Sequence, residues 1–400
     1  MPEARVTPAL PKIKLSPRGA TRLKSGHVWV YKSDLLGADD VAPGALVTVT
    51  DQRGKPLGTA LYSSSSQIAI RMISHEPVAD FPALLRQRIG DAISYRQKLV
   101  RDTNAYRVIF SEADQLPGLI VDRYNDILSL QILTQAMDAS LVRETTIAQL
   151  ADELHPAAII ERVDPRVREL ETLPSRPSGL LQGERTATTF TMNGVHFHFD
   201  ALEGQKTGAF LDQRENYAAA AQYVKGDALD VFCYQGGFAL HLARVCDNVT
   251  GVDSSRPALE VADQNASLNK AGGKEIEWIE ANAFDLLKDY SATNHRYDTI
   301  VLDPPAFAKS KRDLDAAIRG YKELNLRALK MLRPGGILVT CSCSYHVTQS
   351  DFLEMLGSAA VDSHRTLRLI EVRGQAKDHP ILLNVPETSY LKCVLAYVSE

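Results

Sequence analysis

What the chain lacks narrows the field first. None of its 400 residues lies in an apolar run approaching a membrane span, which takes roughly 20 consecutive residues. The opening MPEARVTPALPKIKL has no continuous apolar stretch of the secretory kind. A cytoplasmic protein without membrane contact is expected. Cysteine is scarce: Cys233, Cys246, Cys341, Cys343 and Cys393 are five, an odd number, with no CxxC pair and no Cys/His spacing of a zinc site. That argues against a disulfide scaffold and against a bound metal, and the ordinary reading of each is a small buried apolar side chain. Internal repeats and low-complexity tracts are absent too. Hydrophobic residues at 44% beside charged residues at 24% argue against disorder. The length suits two or three domains.

A net charge of −4 is not that of a generic nucleic-acid binder, but its distribution is uneven. Residues 1–75 carry ten Lys/Arg against five Asp/Glu, which leaves 35 against 44 for the remainder. A basic module ahead of an acidic one suits phosphate contact through the N-terminus, although an excess of five charges also arises by chance.

The organisation changes along the chain. Residues 1–75 read as a small β-rich module, with HVWVYKSDL, GALVTVTD and QIAIRMIS as strands and Asp51–Gly54 as a hairpin turn. Residues 76–190 read as a central α+β domain: a helix over about 81–100, strands in YRVIFSEA, GLIVDRY and ILSLQILT, a helix near 138–153 and the strand AAIIERVD. The polar stretch 171–185, with Pro and Gly, reads as a loop. From about Asp200 strands alternate with helices, and residues 191–400 are expected to form a parallel, doubly wound α/β sheet. Such sheets bind ligands at the carboxyl ends of their strands.

Three successive strand ends carry a pattern. ALDVFCY, with Asp230 and Phe232, runs into Gln235-Gly236-Gly237-Phe238 and then a helix. Glycine there lets backbone approach a ligand, though a bare strand–GG–helix is also an ordinary tight connection. Asp253 and Ser254 close the next strand, 23 residues after Asp230, where a carboxylate can accept from ribose hydroxyls; the structural alternative is an acid capping the following helix. The third strand ends at Asn282-Ala283-Phe284, a polar edge beside an aromatic face suited to adenine. No GxGxxG fingerprint or second phosphate motif is present, so S-adenosylmethionine is favoured over a dinucleotide.

The fourth strand ends in Asp303-Pro304-Pro305-Ala306-Phe307. Two prolines fix φ and remove two donors, so a rigid loop presents Asp303 to the polar edge of a planar base, with Phe307 as a stacking surface. That loop alone does not separate methylation at an exocyclic nitrogen from methylation at carbon. The next strand, ILVTCSCS, places Cys341 and Cys343 on one side by its period of two, with Cys343 nearer the carboxyl end. Carbon 5 of cytosine is a poor nucleophile, and a thiolate adding to carbon 6 activates it. Cys343 is therefore the expected nucleophile, Asp303 the group holding N3 or the amino edge, and Cys341 a structural residue.

These residues resemble the bacterial 23S ribosomal RNA cytosine-C5 methyltransferases that carry an N-terminal PUA domain. GHVWVYKSDL, SEADQLPGLIVDRY, QKTGAFLDQREN (205–216), DVFCYQGGFAL, GVDSS, DPPAFAKSK and the SCS of Cys343 carry the resemblance nearly end to end. It implies a PUA-like RNA-binding β-barrel at 1–75, a central domain at 76–190 and a Rossmann-like class I methyltransferase domain at 191–400. It further implies that Lys206, Thr207, Gly208 and Asp212 lie at the cofactor, with Asp230, Phe232, Gly236, Phe238, Asp253, Ser254, Asn282, Ala283, Phe284, Asp303 and Pro304, and that Arg214 and Phe307 meet substrate. The partner would be 23S ribosomal RNA, gripped by the basic N-terminal module with Trp29 and Tyr31 as candidate contacts. The chain departs from the family in carrying Asn282 where aspartate is usual and Cys341 where an apolar residue is commoner. An RNA guanine-N2 methyltransferase on the same scaffold and a non-enzymatic RNA-binding protein are the alternatives. The oligomeric state is left open, a homodimer included.

Overall fold

A computed structural model describes residues 10–202, 209–269, 275–293, 295–308 and 310–400. At the N-terminus lie β1 (Lys12–Lys14), α1 (Pro17–Lys24), β2 (Trp29–Tyr31), β3 (Leu46–Thr50), β4 (Pro56–Tyr62) and β5 (Ile68–Ser74). They form a sheet of order β1-β3-β4-β5-β2, in which only the β1–β3 pair is parallel. Ile13, Val30, Val47, Val49 and Ile70 fill its interior and are fully buried. The β-rich reading missed α1, whose start is nonetheless written locally. Ser16 Oγ accepts from the Gly19 N–H at 3.1 Å and Pro17 takes the first position, where its missing donor costs nothing.

The second unit comprises α2 (Phe81–Leu99), β6 (Ala105–Phe110), β7 (Leu119–Tyr124), β8 (Ile127–Ile132), α3 (Ser140–Leu154), β9 (Ala158–Glu161), α4 (Pro165–Leu170) and β10 (Gly179–Gly183). Its sheet order is β10-β9-β8-β7-β6. The expected loop at 171–185 thus contains a strand. β10 is an edge strand, bulged between Leu180 and Gln182 and nowhere buried, so no apolar alternation marks it in the sequence. A hairpin of β11 (Ala187–Met192) and β12 (Val195–Asp200) follows. Its Phe199 stacks on Tyr124 with centroids 3.8 Å apart, while Phe197 packs towards His241. The hairpin therefore shares one core with β7 and with the C-terminal unit, and the boundary expected at 190/191 falls inside β11.

The C-terminal unit contains α5 (Arg214–Ala220), β13 (Asp227–Val231), α6 (Gly237–Leu242), β14 (Asn248–Asp253), α7 (Arg256–Leu268), β15 (Ile276–Glu280), α8 (Ala283–Ala292), β16 (Tyr297–Leu302), α9 (Leu314–Met331), β17 (Leu332–Ser342), α10 (Gln349–Asp362), β18 (Thr366–Arg373) and β19 (Lys392–Ser399). The sheet runs β15-β14-β13-β16-β17-β19-β18. Strands β13 to β17 pair in parallel as expected; β19 is the exception, antiparallel to both neighbours. Leu229, Val231, Ile300 and Leu302 are fully buried, as the near-continuous apolar runs of a sheet covered on both faces require. Strand order reverses beside β13, so the carboxyl ends of β13 and β16 border the crevice where such sheets take ligands.

Residues 374–391, between β18 and β19, reach back over the other units. The Asp378 carboxylate accepts from Arg214 at 3.0 and 3.1 Å and from the Arg107 N–H at 2.8 Å, while Arg96 donates to the Asp378 carbonyl at 2.8 Å. Glu387 meets His27 of the N-terminal unit at 3.2 Å.

Candidate active site

The crevice begins with a contorted turn. After β13 the chain passes through Phe232 (φ +67°), Tyr234 (φ +48°) and Gly236 (φ +84°), all left-handed. Two non-glycine residues in that region cost of order 1 kcal/mol or more each and persist only where the surroundings over-determine them. Here the ties are plain. Asp230 Oδ2 accepts from the Ala239 N–H at 2.8 Å, Asp253 Oδ2 accepts from the Tyr234 N–H at 2.9 Å, and the Cys233 N–H donates to the Val252 carbonyl at 3.0 Å. Gly237 is needed for space, since a Cβ there would stand 2.4 Å from Tyr217 Oη. Phe232, Tyr234, Gly237, Phe238, Phe210 and Asp303 are among the residues lining the resulting cleft.

Several expected cofactor residues converge on this cleft, and others act behind it. Asp230 is fully buried; burial, assisted by Asp303 and Asp253, pushes its carboxyl up to about 8 against the Ala239 hydrogen bond. It shapes the turn and does not face the cleft. Its Oδ1 is buried without a partner, the kind of latent polarity expected beside a ligand site. Asp253 Oδ1 accepts from the Ser255 N–H at 2.9 Å while Ser255 caps α7, so Asp253 bends the chain after β14 and keeps lone pairs for further donors. Ser254 is exposed and Ala283 buried. Asn282 caps α8, its oxygen accepting from the Phe284 and Asp285 N–H groups at 2.9 and 3.3 Å. That oxygen is thus engaged by the helix it caps. Lys206, Thr207 and Gly208 lie outside the described residues.

The chemistry-bearing groups gather at the ends of β16 and β17. Of the five cysteines, Cys343 alone is not buried. Its Sγ lies 3.9 Å from the Pro304 carbonyl, in the rigid loop that Asp303 opens. Pro304 itself is buried and serves that contact. Asp303 accepts from Gln213 Nε2 at 3.0 Å. Burial first, then the neighbouring Asp212, pushes its carboxyl up to about 7 against the Gln213 hydrogen bond. Burial likewise pushes the Cys343 thiol up to about 12, with Asp303 and Asp212 adding to the rise and Lys392 opposing it. Asp212 is half-buried and receives the Tyr390 hydroxyl at 2.6 Å. Cys341 is fully buried opposite Cys393 in the β17–β19 ladder and neighbours Asp303.

Three of the expected contact sites are engaged within the chain itself. Arg214, expected at substrate, is 1% exposed and held by Asp378, because the first turn of α5 points into the junction of the units. Phe307 is half-buried with its ring 4.7 Å from Tyr321 and 6.0 Å from Phe284, which makes it a wedge between the loop and α9 and not an open stacking surface. Trp29 donates from Nε1 to Glu112 at 3.0 Å and so joins the first two units, whereas Tyr31 carries the Arg22 guanidinium 4.7 Å from its ring centre. The sequence reading missed Gln213, Tyr390 and Lys392. Gln213 sits inside the quoted LDQR string and could have been singled out as a carboxylate partner; Tyr390 and Lys392 had no local signal.

Among the described residues no helix is long and apolar enough to cross a membrane, and no group of three or more His, Cys, Asp or Glu is placed to hold a metal ion. Comparison with known proteins agrees with the fold. Residues 13–75 match a PUA-like domain and residues 119–394 an S-adenosylmethionine-dependent methyltransferase family. Ribosomal RNA large subunit methyltransferase I of Shewanella denitrificans is 38% identical over 399 residues, covering 97% of this chain and 99% of that protein. Its counterpart in Photobacterium profundum is 36% identical over 390 residues, covering 94% and 96%. A solved chain described as a candidate SAM-dependent methyltransferase from Streptococcus mutans superposes with a TM-score of 0.81 at 18% identity, covering 97% of this chain and all of that one. A candidate methyltransferase solved with SAH gives 0.82 at 19% identity, with 97% and 100% covered. The Rossmann-like sheet and the matching methyltransferase domain are those of an enzyme whose cofactor is S-adenosylmethionine, and the chain belongs to the ribosomal RNA large subunit methyltransferase I family, with a PUA-like domain ahead of its methyltransferase domain.

Proposed function

We propose that this protein methylates carbon 5 of a cytosine in large-subunit ribosomal RNA, with Cys343 as the nucleophile. One observation carries the reading. Cys343 is the single non-buried thiol, at the carboxyl edge of β17 and against the loop that holds Asp303. The names of the relatives and the basic, PUA-like N-terminal unit support ribosomal RNA as the substrate.

S-adenosylmethionine supplies an electrophilic methyl group on a sulfonium. Phe232, Tyr234, Asp253 and the turn at Gly236-Gly237 would hold it, and Asn282 and Phe284 would flank its base. The protein's own work starts with the Cys343 thiolate forming a bond to carbon 6 while the C5–C6 double bond opens towards N3. Asp303, protonated below about 7, donates to N3 and takes up the charge that develops there. Carbon 5 then takes the methyl group. Loss of the carbon-5 proton to a base re-forms the C5–C6 double bond and expels the Cys343 sulfur, and N3 returns its proton to the Asp303 carboxylate. Phe307, packed on Tyr321, keeps the Asp303 loop from relaxing during these steps.

The test is nucleoside mass spectrometry of large-subunit ribosomal RNA treated with wild-type and Cys343→Ala protein. Wild type should yield 5-methylcytidine. Cys343→Ala should lose at least about 10³-fold in rate with S-adenosylmethionine affinity unchanged by calorimetry, since a nucleophile acts after binding. Retained methylation by Cys343→Ala, or a product methylated on guanine N2, would remove the thiol from the mechanism.

A further inference from the structure

One buried charge near the nucleophile has no role in the steps above. Lys392 opens β19 opposite Ser342 and is 7% exposed. Its ammonium donates to the Ser344 carbonyl at 2.6 Å and to the Tyr390 carbonyl at 2.9 Å, and among the described residues it has no ion-pair partner. An ammonium has three donors, so one N–H is left over. A buried cation without a counter-ion is costly and calls for a reason. Its surroundings supply one. Ser344 follows Cys343 directly and is itself pinned, its Oγ accepting from the Ala308 N–H at 3.2 Å and meeting Tyr321 Oη at 2.9 Å. Around the thiol stand Asp303 from the end of β16, Asp212 from the turn before α5, and Tyr321 from α9. Lys392 is the positive group whose charge acts on it, and the charges of Cys343 and of Asp351, at the head of α10, act on Lys392 in turn.

We propose that Lys392 is the positioning residue of the nucleophile: through Ser344 it fixes the segment that carries Cys343, and its ammonium is the counter-charge that lets the Cys343 thiolate form beside two carboxylates. The inference rests on Cys343 being the nucleophile and adds the group that makes it one. Burial draws the Lys392 ammonium down to about 8, with Cys343 and Asp351 opposing the fall. The pair therefore titrates as a unit. Below the lysine's midpoint each pH unit gives about ten-fold more thiolate. Above it the ammonium proton is lost as fast as thiolate would be gained, and the thiolate population levels off until it can form beside the neutral amine.

The experiment is alkylation of Cys343 by iodoacetamide in the full chain between about pH 6.5 and 10, with fragment ions separating Cys343 from Cys341. Asp303 also titrates in that range, at about 7, so Asp303→Asn is the background. With Lys392 present the rate should climb about ten-fold per pH unit, flatten for roughly one unit above about pH 8, then resume. Adding Lys392→Met should remove the flat segment and slow alkylation about ten-fold at pH 7, the effect of deleting one nearby opposite charge. Adding Lys392→Arg should remove the flat segment yet keep the rate at pH 7 within about three-fold, because arginine does not titrate there. A straight rise with Lys392 in place, or a flat segment surviving in Lys392→Met, overturns the proposal, and the first arm needs no change at Lys392. Should Asp303→Asn not fold, loss of the upper break when Lys392→Arg is placed in the otherwise native chain reads the same thing. Alkylation needs no methyl transfer, so a chain that methylates without Cys343 would refute the nucleophile while leaving the thiol–ammonium coupling to be judged on its own.

Discussion

At the scale of single residues, the site is a contest between burial and hydrogen bonding. Cys343 and Asp303 are both largely withdrawn from water, which favours the neutral form of each. For the thiol this is a handicap that its neighbours must offset. For the carboxyl it is an asset, because an acid must carry its proton to use it. The sign follows directly: Asp303, pushed up to about 7, is protonated below that pH and ionised above it. Single-turnover methylation should therefore climb with pH below about 7, where the thiolate grows, and show a level limb above about 7, where loss of the acid offsets that growth. Asp303→Asn should slow the reaction about 10²-fold, the usual worth of a general acid, and its profile should lack that limb. A limb that persists in the variant would assign the titration to another group.

At the scale of elements, the turn from β13 into α6 concentrates the strain. Phe232 and Tyr234 adopt positive φ because Asp230, Asp253 and Val252 hold their flanks. Gly237→Ala drives a methyl group to 2.4 Å from the Tyr217 hydroxyl, so either the turn or the tyrosine must move. Overpacking of this kind costs about 1–3 kcal/mol, and S-adenosylmethionine affinity by calorimetry should fall about ten-fold or more. Unchanged affinity would mean that the turn does not hold the cofactor. The same turn gives a pH signature. Burial raises the Asp230 carboxyl from 3.8 to about 8, so between those values the folded chain retains a proton that the unfolded chain has lost. Stability relative to Asp230→Asn should decline as pH rises from about 4 to about 8 and level off above. Thermal melts of both proteins across that range would check it, and a constant gap would refute it.

At the scale of the molecule, residues 374–391 bind three units into one. Asp378 is fully buried; burial alone would raise its pKa, but His379, Arg214 and the Arg107 N–H outweigh it and hold the carboxyl well below the usual range. Removing it leaves the buried Arg214 guanidinium with only the longer contacts to Glu215 at 3.6 Å and the Ala105 carbonyl at 3.4 Å. Asp378→Ala should cost about 3–5 kcal/mol in urea unfolding, as broken buried pairs do. A depressed carboxylate stabilises the fold above its ordinary 3.8 and loses that contribution as pH falls further. The gap between wild type and Asp378→Ala should accordingly narrow below about pH 4. A cost under about 1 kcal/mol at pH 7 would demote the junction to a surface-like contact.

Much was legible before any coordinates. The alternation of strands and helices from β13 to β17, the hairpin at Asp51–Gly54 and the helix Phe81–Leu99 follow from periodicity and turn chemistry that act over a few residues. The position of Cys343 at a strand's carboxyl edge, past a Pro-Pro loop, is of the same local kind. What the sequence could not decide lies in contacts between residues far apart along it. Whether Arg214 meets substrate depends on Asp378, whether Trp29 is free depends on Glu112, and which cation faces Cys343 depends on β19 returning antiparallel beside β17. Local propensity specifies which elements form and where they end. The direction in which an end residue's side chain points, and the charge it finds there, is set by packing that brings together segments the sequence keeps apart.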